Sequence, residues 1–130
     1  ELPVGAVVVR GGEIIARAHN GRERSHDPTA HAEILALRRA AERLGNWRLT
    51  GCTLYVTLEP CPMCAGAVVQ ARVDRLVYGA PDEESGCAGS LYRITEDPAF
   101  THFTPADGGV LSGECSALLD RFFQNKRGRP

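Results

Sequence analysis

The sequence predicts a three-layer α/β domain around one sheet. Short β-favouring runs alternate with helical patterns along most of the chain, and 130 residues suffice for one well-buried core. Hydrophobic residues, at 43%, sit near the globular norm. No apolar run approaches the roughly 18–20 residues that a membrane span needs.

Residues 4–10 and 14–18 flank Gly11-Gly12-Glu13, an antiparallel hairpin pattern with glycine in the turn. Residues 19–24 are polar and read as a loop leading to Asp27-Pro28-Thr29. Pro28 suits the first position of a helix, with Asp27 as its cap. That helix is expected to run to Leu44 and stop at Gly45, with Ile34, Leu37, Ala41 and Leu44 on one face. Trp47, just beyond it, reads as core filling. Residues 53–58 form a strand, and Pro62 opens a second helix over 63–71, small and apolar all round and therefore buried. Residues 75–78 are another strand. Residues 80–89, rich in proline, glycine and acids, read as a functional loop. No element is assigned over 91–105; Val110-Leu111 reads as a last short strand. Ser112 is expected to cap a closing helix with the stripe Cys115, Leu118, Leu119 and Phe122, before the basic tail Lys126-Arg127-Gly128-Arg129. There are no repeats and no linker, so the whole chain, 1–130, reads as a single domain.

The chemistry concentrates in His31-Ala32-Glu33 and Pro60-Cys61-Pro62-Met63-Cys64, with 26 residues between them. A structural zinc site takes four protein ligands, whereas a catalytic one leaves a corner for water. One histidine and two cysteines leave that corner open. Cys-x-x-Cys alone also occurs in redox pairs and zinc knuckles. A redox pair, however, needs no His-x-Glu partner. A knuckle needs a second ligand pair, and His19, His26 and His102 provide none. A helix turns residues i and i+2 to different sides, so Glu33 would not ligate beside His31; it would point past the metal as a general acid/base. Both runs fall where a helix begins, and a helix amino end stabilises thiolates. Asn20, in the loop before the first ligand helix, is either a turn residue or a base-contacting amide.

The formal net charge of −1 argues against wholesale coating of nucleic acid, although 14 of the 15 basic residues are arginine, which suits phosphate contacts. Five cysteines without an export-type segment point to a reducing, cytoplasmic compartment. Cys52, Cys87 and Cys115 read as small buried side chains.

His31-x-Glu33 with Pro60-Cys61-x-x-Cys64 is the pattern of the zinc nucleobase deaminases. Residues 2–127 resemble the bacterial tRNA-specific adenosine deaminases of the TadA type. The resemblance extends to Pro3-Val4-Gly5-Ala6-Val7, Asp27-Pro28-Thr29-Ala30, Tyr55-Val56-Thr57-Leu58-Glu59, Met63-Cys64-Ala65-Gly66-Ala67, Gly86-Cys87-Ala88-Gly89-Ser90-Leu91, Glu114-Cys115 and Phe122-Phe123. It implies a three-layer α/β/α, cytidine-deaminase-like domain with a mixed central sheet. It also implies hydrolytic deamination of adenosine to inosine at the wobble position of a tRNA anticodon loop, by a homodimer with one zinc per chain. His31, Cys61 and Cys64 would hold the zinc, and Glu33 would shuttle protons. Asn20 and the backbone N–H of Ala32 would hold the flipped base, and Asp82 would face the neighbouring nucleotide. Lys126, Arg127 and Arg129 would contact RNA. The family's amino-terminal helix has no counterpart ahead of Pro3-Val4-Gly5, and residues 92–105 match poorly. The alternatives are a free-base or nucleoside deaminase acting on guanine, cytosine or cytidine, and a non-catalytic zinc-stabilised RNA-binding module; an intact Glu33 disfavours the last.

Overall fold

Two consecutive glycines start the fold. Gly11 and Gly12 both have positive φ, 57° and 78°, as the tight turn between two twisted antiparallel strands requires. They join β1 (Gly5–Arg10) to β2 (Glu13–His19) in a computed structural model that describes residues 2–111 and 113. On its other side β1 pairs antiparallel with β3 (Cys52–Leu58). From there the sheet turns parallel, through β4 (Arg75–Ala80) to the two-residue β5 (Ala106–Asp107). The strand order is β2-β1-β3-β4-β5, a mixed sheet.

A short helix, α1 (Arg22–Ser25), lies in the connection that leaves β2. The long helix α2 (Ala32–Leu44) packs across β1 and β2. Helix α3 (Pro62–Ala71) is the crossover that lets β3 and β4 run parallel. The core lies between these helices and the sheet: Val8, Leu54 and Leu76 from the strands, Ala32, Ala36 and Ala40 from α2 and Val68 from α3. Three alanines at the centre of α2's packed face let the helix backbone approach the strands closely.

The structure corrects several expectations. Helix α2 begins at Ala32 rather than Pro28, because Asp27 closes a turn instead of capping a helix. Its Oδ1 accepts the Thr29 amide at 2.8 Å and the Thr29 hydroxyl at 2.7 Å. Within α2, the fully buried face is Ala32, Glu33, Ala36, Leu37 and Ala40, so of the expected stripe Leu37 alone is central. Ile34, Ala41 and Leu44 lie half-buried at its rim. The last described strand is β5, and Val110 and Leu111 are exposed turn residues. Trp47 is 55% exposed and packs against guanidinium groups, 4.5 Å from Arg48 and 5.8 Å from Arg72. The polar segment 19–24 also carries most of α1. Helix α3 is buried along Cys64, Ala65, Val68 and Val69, while Met63 and Gln70 face outward. The closing helix expected from Ser112 and the basic tail lie outside the described residues. Among the described residues no helix is long and apolar enough to cross a membrane.

Candidate active site

Two helix amino ends converge to make the site. His31 is the N-cap of α2 and Cys61 the N-cap of α3, both in extended backbone conformations. N-cap side chains ordinarily turn back to accept the free amides of the first turn. Neither makes a full capping hydrogen bond, although the Met63 and Cys64 amides still favour the Cys61 thiolate. The two side chains turn toward each other. Cys64 sits three residues into α3, on the side of the first turn that its N-cap faces, because Pro62 starts the helix at once. His31 Nδ1 lies 3.6 Å from Cys61 Sγ and 3.4 Å from Cys64 Sγ.

The donor set passes a direct test for zinc. Zn–S bonds of about 2.3 Å and a Zn–N bond of about 2.0–2.1 Å, at tetrahedral angles, place sulfur and nitrogen about 3.5 Å apart. Both observed separations agree with that value. Two soft thiolates and an imidazole also suit zinc chemically. Among the described residues this is the one group of three or more His, Cys, Asp or Glu side chains whose ligand atoms all lie within 4.8 Å of one another. His19, His26 and His102 do not join it.

The two thiols are held in opposite directions. Cys61 is held down to about 5: the Cys64 thiol donates to it, the Cys64 and Met63 amides and His31 assist, and burial opposes. Cys64 is pushed up because its thiol is the donor in that pair and is buried beside Glu33. One thiolate is therefore already favoured at neutral pH.

Glu33 stands apart from the trio. It is 4% exposed, in the first turn of α2. Burial pushes its carboxyl up to about 7, Cys61 adds to the rise, and its own backbone amide and the Cys64 thiol pull the other way. A carboxyl poised near neutrality is suited to both taking and giving a proton.

Asn20 is also buried. Its backbone amide donates to Val4 and its Oδ1 accepts the Ala32 amide at 2.8 Å, stitching the end of β2 to the start of α2. Asn20 and Ala32 are thus brought together with each other and with His31. Asp82 stands in the loop after β4, where its Oδ1 accepts the amides of Glu84 and Ser85. Its carboxylate closes its own turn. Lys126, Arg127 and Arg129 lie outside the described residues.

Sequence reasoning misses Glu59 as a separate participant. It is 2% exposed, and its carboxylate accepts the amides of Asp82, Ala88 and Ser90 and the Ser90 hydroxyl. Burial pushes this carboxyl up, but those hydrogen bonds outweigh it and hold it below its ordinary value. A charged residue at the end of a strand reads as solvent-facing in sequence; its one available signal is the glycine, Gly86, that must pass over it.

Comparison with known proteins agrees with this arrangement. The profile of the MafB19-like deaminases matches residues 1–106. The chain is 53% identical over 127 residues to a tRNA-specific adenosine deaminase of Bacillus subtilis, covering 98% of this chain and 79% of that protein. A solved structure from a study of A-to-I editing by tRNA:A34 deaminases superposes with a TM-score of 0.86 at 45% identity, covering 89% of this chain and 84% of the other. A guanine deaminase from Nitrosomonas europaea superposes with a TM-score of 0.79 at 27% identity, covering 92% and 71%. The fold is cytidine-deaminase-like, and this chain belongs to the family of the tRNA-specific adenosine deaminases.

Proposed function

We propose that this chain deaminates adenosine to inosine at the wobble position of a tRNA anticodon loop, using one zinc held by His31 Nδ1, Cys61 Sγ and Cys64 Sγ. The observation that carries the reading is Glu33: a buried carboxyl, raised to about 7, beside a three-ligand site and not part of it. A purely structural site would have no use for such a group. When bound, zinc supplies a water activated near neutral pH, its pKa lowered from about 15.7 to about 7. Glu33 takes the proton of the attacking water and delivers it to ring N1, which makes C6 electrophilic. It then takes the second proton, from the water oxygen now bonded to C6, and passes it to the amine as the C6–N bond breaks, so that adenosine and water become inosine and ammonia. Asn20 orients the base through its amide group, and its hold on Ala32 keeps the start of α2 in place beneath it. An anticodon loop is already partly unstacked, so extruding its base costs less than it would in a duplex.

The substrate assignment is supported by the relatives' named activity and by the similarity to the tRNA:A34 deaminase structure. Homodimerisation is supported by the family resemblance and by the exposed apolar side chains Met63, Leu91 and Tyr92, which a second chain would cover. Free cysteines at all four described positions suit a reducing cytoplasm.

The test is incubation of the zinc-loaded chain with an unmodified tRNA bearing adenosine at the wobble position, followed by analysis for inosine. Guanine, cytosine and cytidine are assayed in parallel. Inosine at that position is expected. Ammonia release from a free base or nucleoside, with none from tRNA, would transfer the chain to the guanine-deaminase-like reading that the second structural similarity favours.

A further inference from the structure

A buried carboxylate surrounded by the amides of a loop is an expensive arrangement unless the loop's shape matters. Glu59 follows β3 directly, and its backbone amide donates to Ala80 at 2.8 Å. Its Oε1 accepts the Asp82 amide at 3.0 Å and the Ser90 hydroxyl. Its Oε2 accepts the Ala88 amide at 3.1 Å and the Ser90 amide at 2.9 Å. Among the described residues no arginine or lysine forms a salt bridge with it. The loop itself is its counter-charge.

The loop has almost no regular pairing of its own, apart from an isolated bridge between Ala88 and Arg93. A buried amide without an acceptor is costly, so the carboxylate does for these amides what a neighbouring strand does in a sheet. The packing is tight. A Cβ at Gly86 would overlap Glu59 Cδ and the Asp82 carbonyl oxygen, and one at Gly89 would lie 2.7 Å from the Tyr78 hydroxyl. The middle of the loop is fastened to the ligand run as well, because the Cys87 amide donates to the Pro60 carbonyl at 2.8 Å. Glu59 therefore anchors a loop that touches the residue next to Cys61.

We propose that Glu59 is a positioning residue, whose carboxylate holds the Asp82–Ser90 loop in one shape so that RNA meets a preformed wall beside the metal trio. The RNA part of this statement rests on the function proposed above; the anchoring part does not. Glu33 and the three candidate ligands stand on α2 and α3, so loosening the loop leaves the chemistry in place and lowers the fraction of molecules ready to bind. A loop competent about a tenth of the time raises the apparent dissociation constant about tenfold.

The decisive variant is Glu59→Gln, which keeps the volume but turns an NH2 group toward N–H donors. Amide hydrogen exchange at Asp82, Ala88 and Ser90 is expected to accelerate about tenfold or more. The KM for a tRNA anticodon stem-loop is expected to rise about tenfold, with kcat within about threefold of the parent and zinc still at one per chain. Ser90→Ala, a milder change at an exposed residue, should move exchange and KM in the same direction by less, and it carries the test if Glu59→Gln does not fold. Unchanged exchange at the three amides would overturn the anchor. Faster exchange with an unchanged KM would overturn the positioning of substrate, and loss of zinc would show that Glu59 acts through the ligands instead. If the parent itself makes no inosine from tRNA, the proposed function falls while the exchange result still decides the anchor.

Discussion

At the scale of the residue, the two buried glutamates show how surroundings drive one kind of side chain in opposite directions. Glu59 is surrounded by donors and stays charged, whereas Glu33 has little hydrogen bonding to offset its burial and is raised to about 7. Glu33→Ala should retain full zinc, because Glu33 is outside the ligand trio, and should lose deamination by about 10² to 10⁴ for each proton-transfer role removed. Metal analysis beside an inosine assay checks this, and loss of zinc would make Glu33 a ligand. A stability effect follows in the metal-free protein. Between the ordinary value of 4.5 and about 7, the folded state binds more protons at Glu33 than the unfolded state does, so stability falls as pH rises through that window. Glu33→Gln removes the charge, and its stability advantage over the parent should grow from pH 5 to pH 8 by about 2–3 kcal/mol. Denaturant midpoints of both metal-free proteins at the two pH values measure it; a constant difference would contradict the raised carboxyl.

At the scale of the element, the site depends on two helix starts being registered against the sheet. Cys61 and Cys64 are placed by a short, proline-started helix directly after β3, so their spacing alone foretells that they face one point. The start of α2 is harder to read. Asp27-Pro28-Thr29 has the chemistry of a helix cap, yet the amide that settles the boundary belongs to Ala32, and its acceptor is Asn20, twelve residues earlier. Asn20→Ala leaves that buried amide without a partner and should cost about 1–3 kcal/mol. Asn20→Asp, which keeps the acceptor, should recover most of the loss. Chemical denaturation of the three proteins compares them, and an Asn20→Ala variant as stable as the parent would remove Asn20 from this role. Trp47 departs from expectation for a partly related reason: a large aromatic beside an amphipathic helix reads as core, but its neighbour Arg48 and the distant Arg72, which follows α3, both lie over its exposed ring, and the second of these is invisible to local pattern.

At the scale of the whole molecule, recognition of an RNA must come from clustered charge, because a net charge of −1 gives no general attraction. Replacing Lys126, Arg127 and Arg129 together by alanine should weaken tRNA binding and flatten its log–log salt dependence by about 0.7 for each phosphate no longer neutralised, with zinc unchanged. If affinity and slope stay at the parent's values, the RNA surface lies elsewhere. The sequence by itself determined the alternation of strands and helices, the hairpin at Gly11-Gly12, the candidate ligand trio and the separate carboxylate, because each is encoded in spacings of a few residues. Only the tertiary structure decided which amides the Glu59 and Asp82 carboxylates accept, where α2 begins and which of its faces is buried. Those outcomes depend on which distant amide meets which acceptor, and on how closely alanines let a helix approach the sheet. Such pairings form only once the chain has brought together residues that local pattern cannot match.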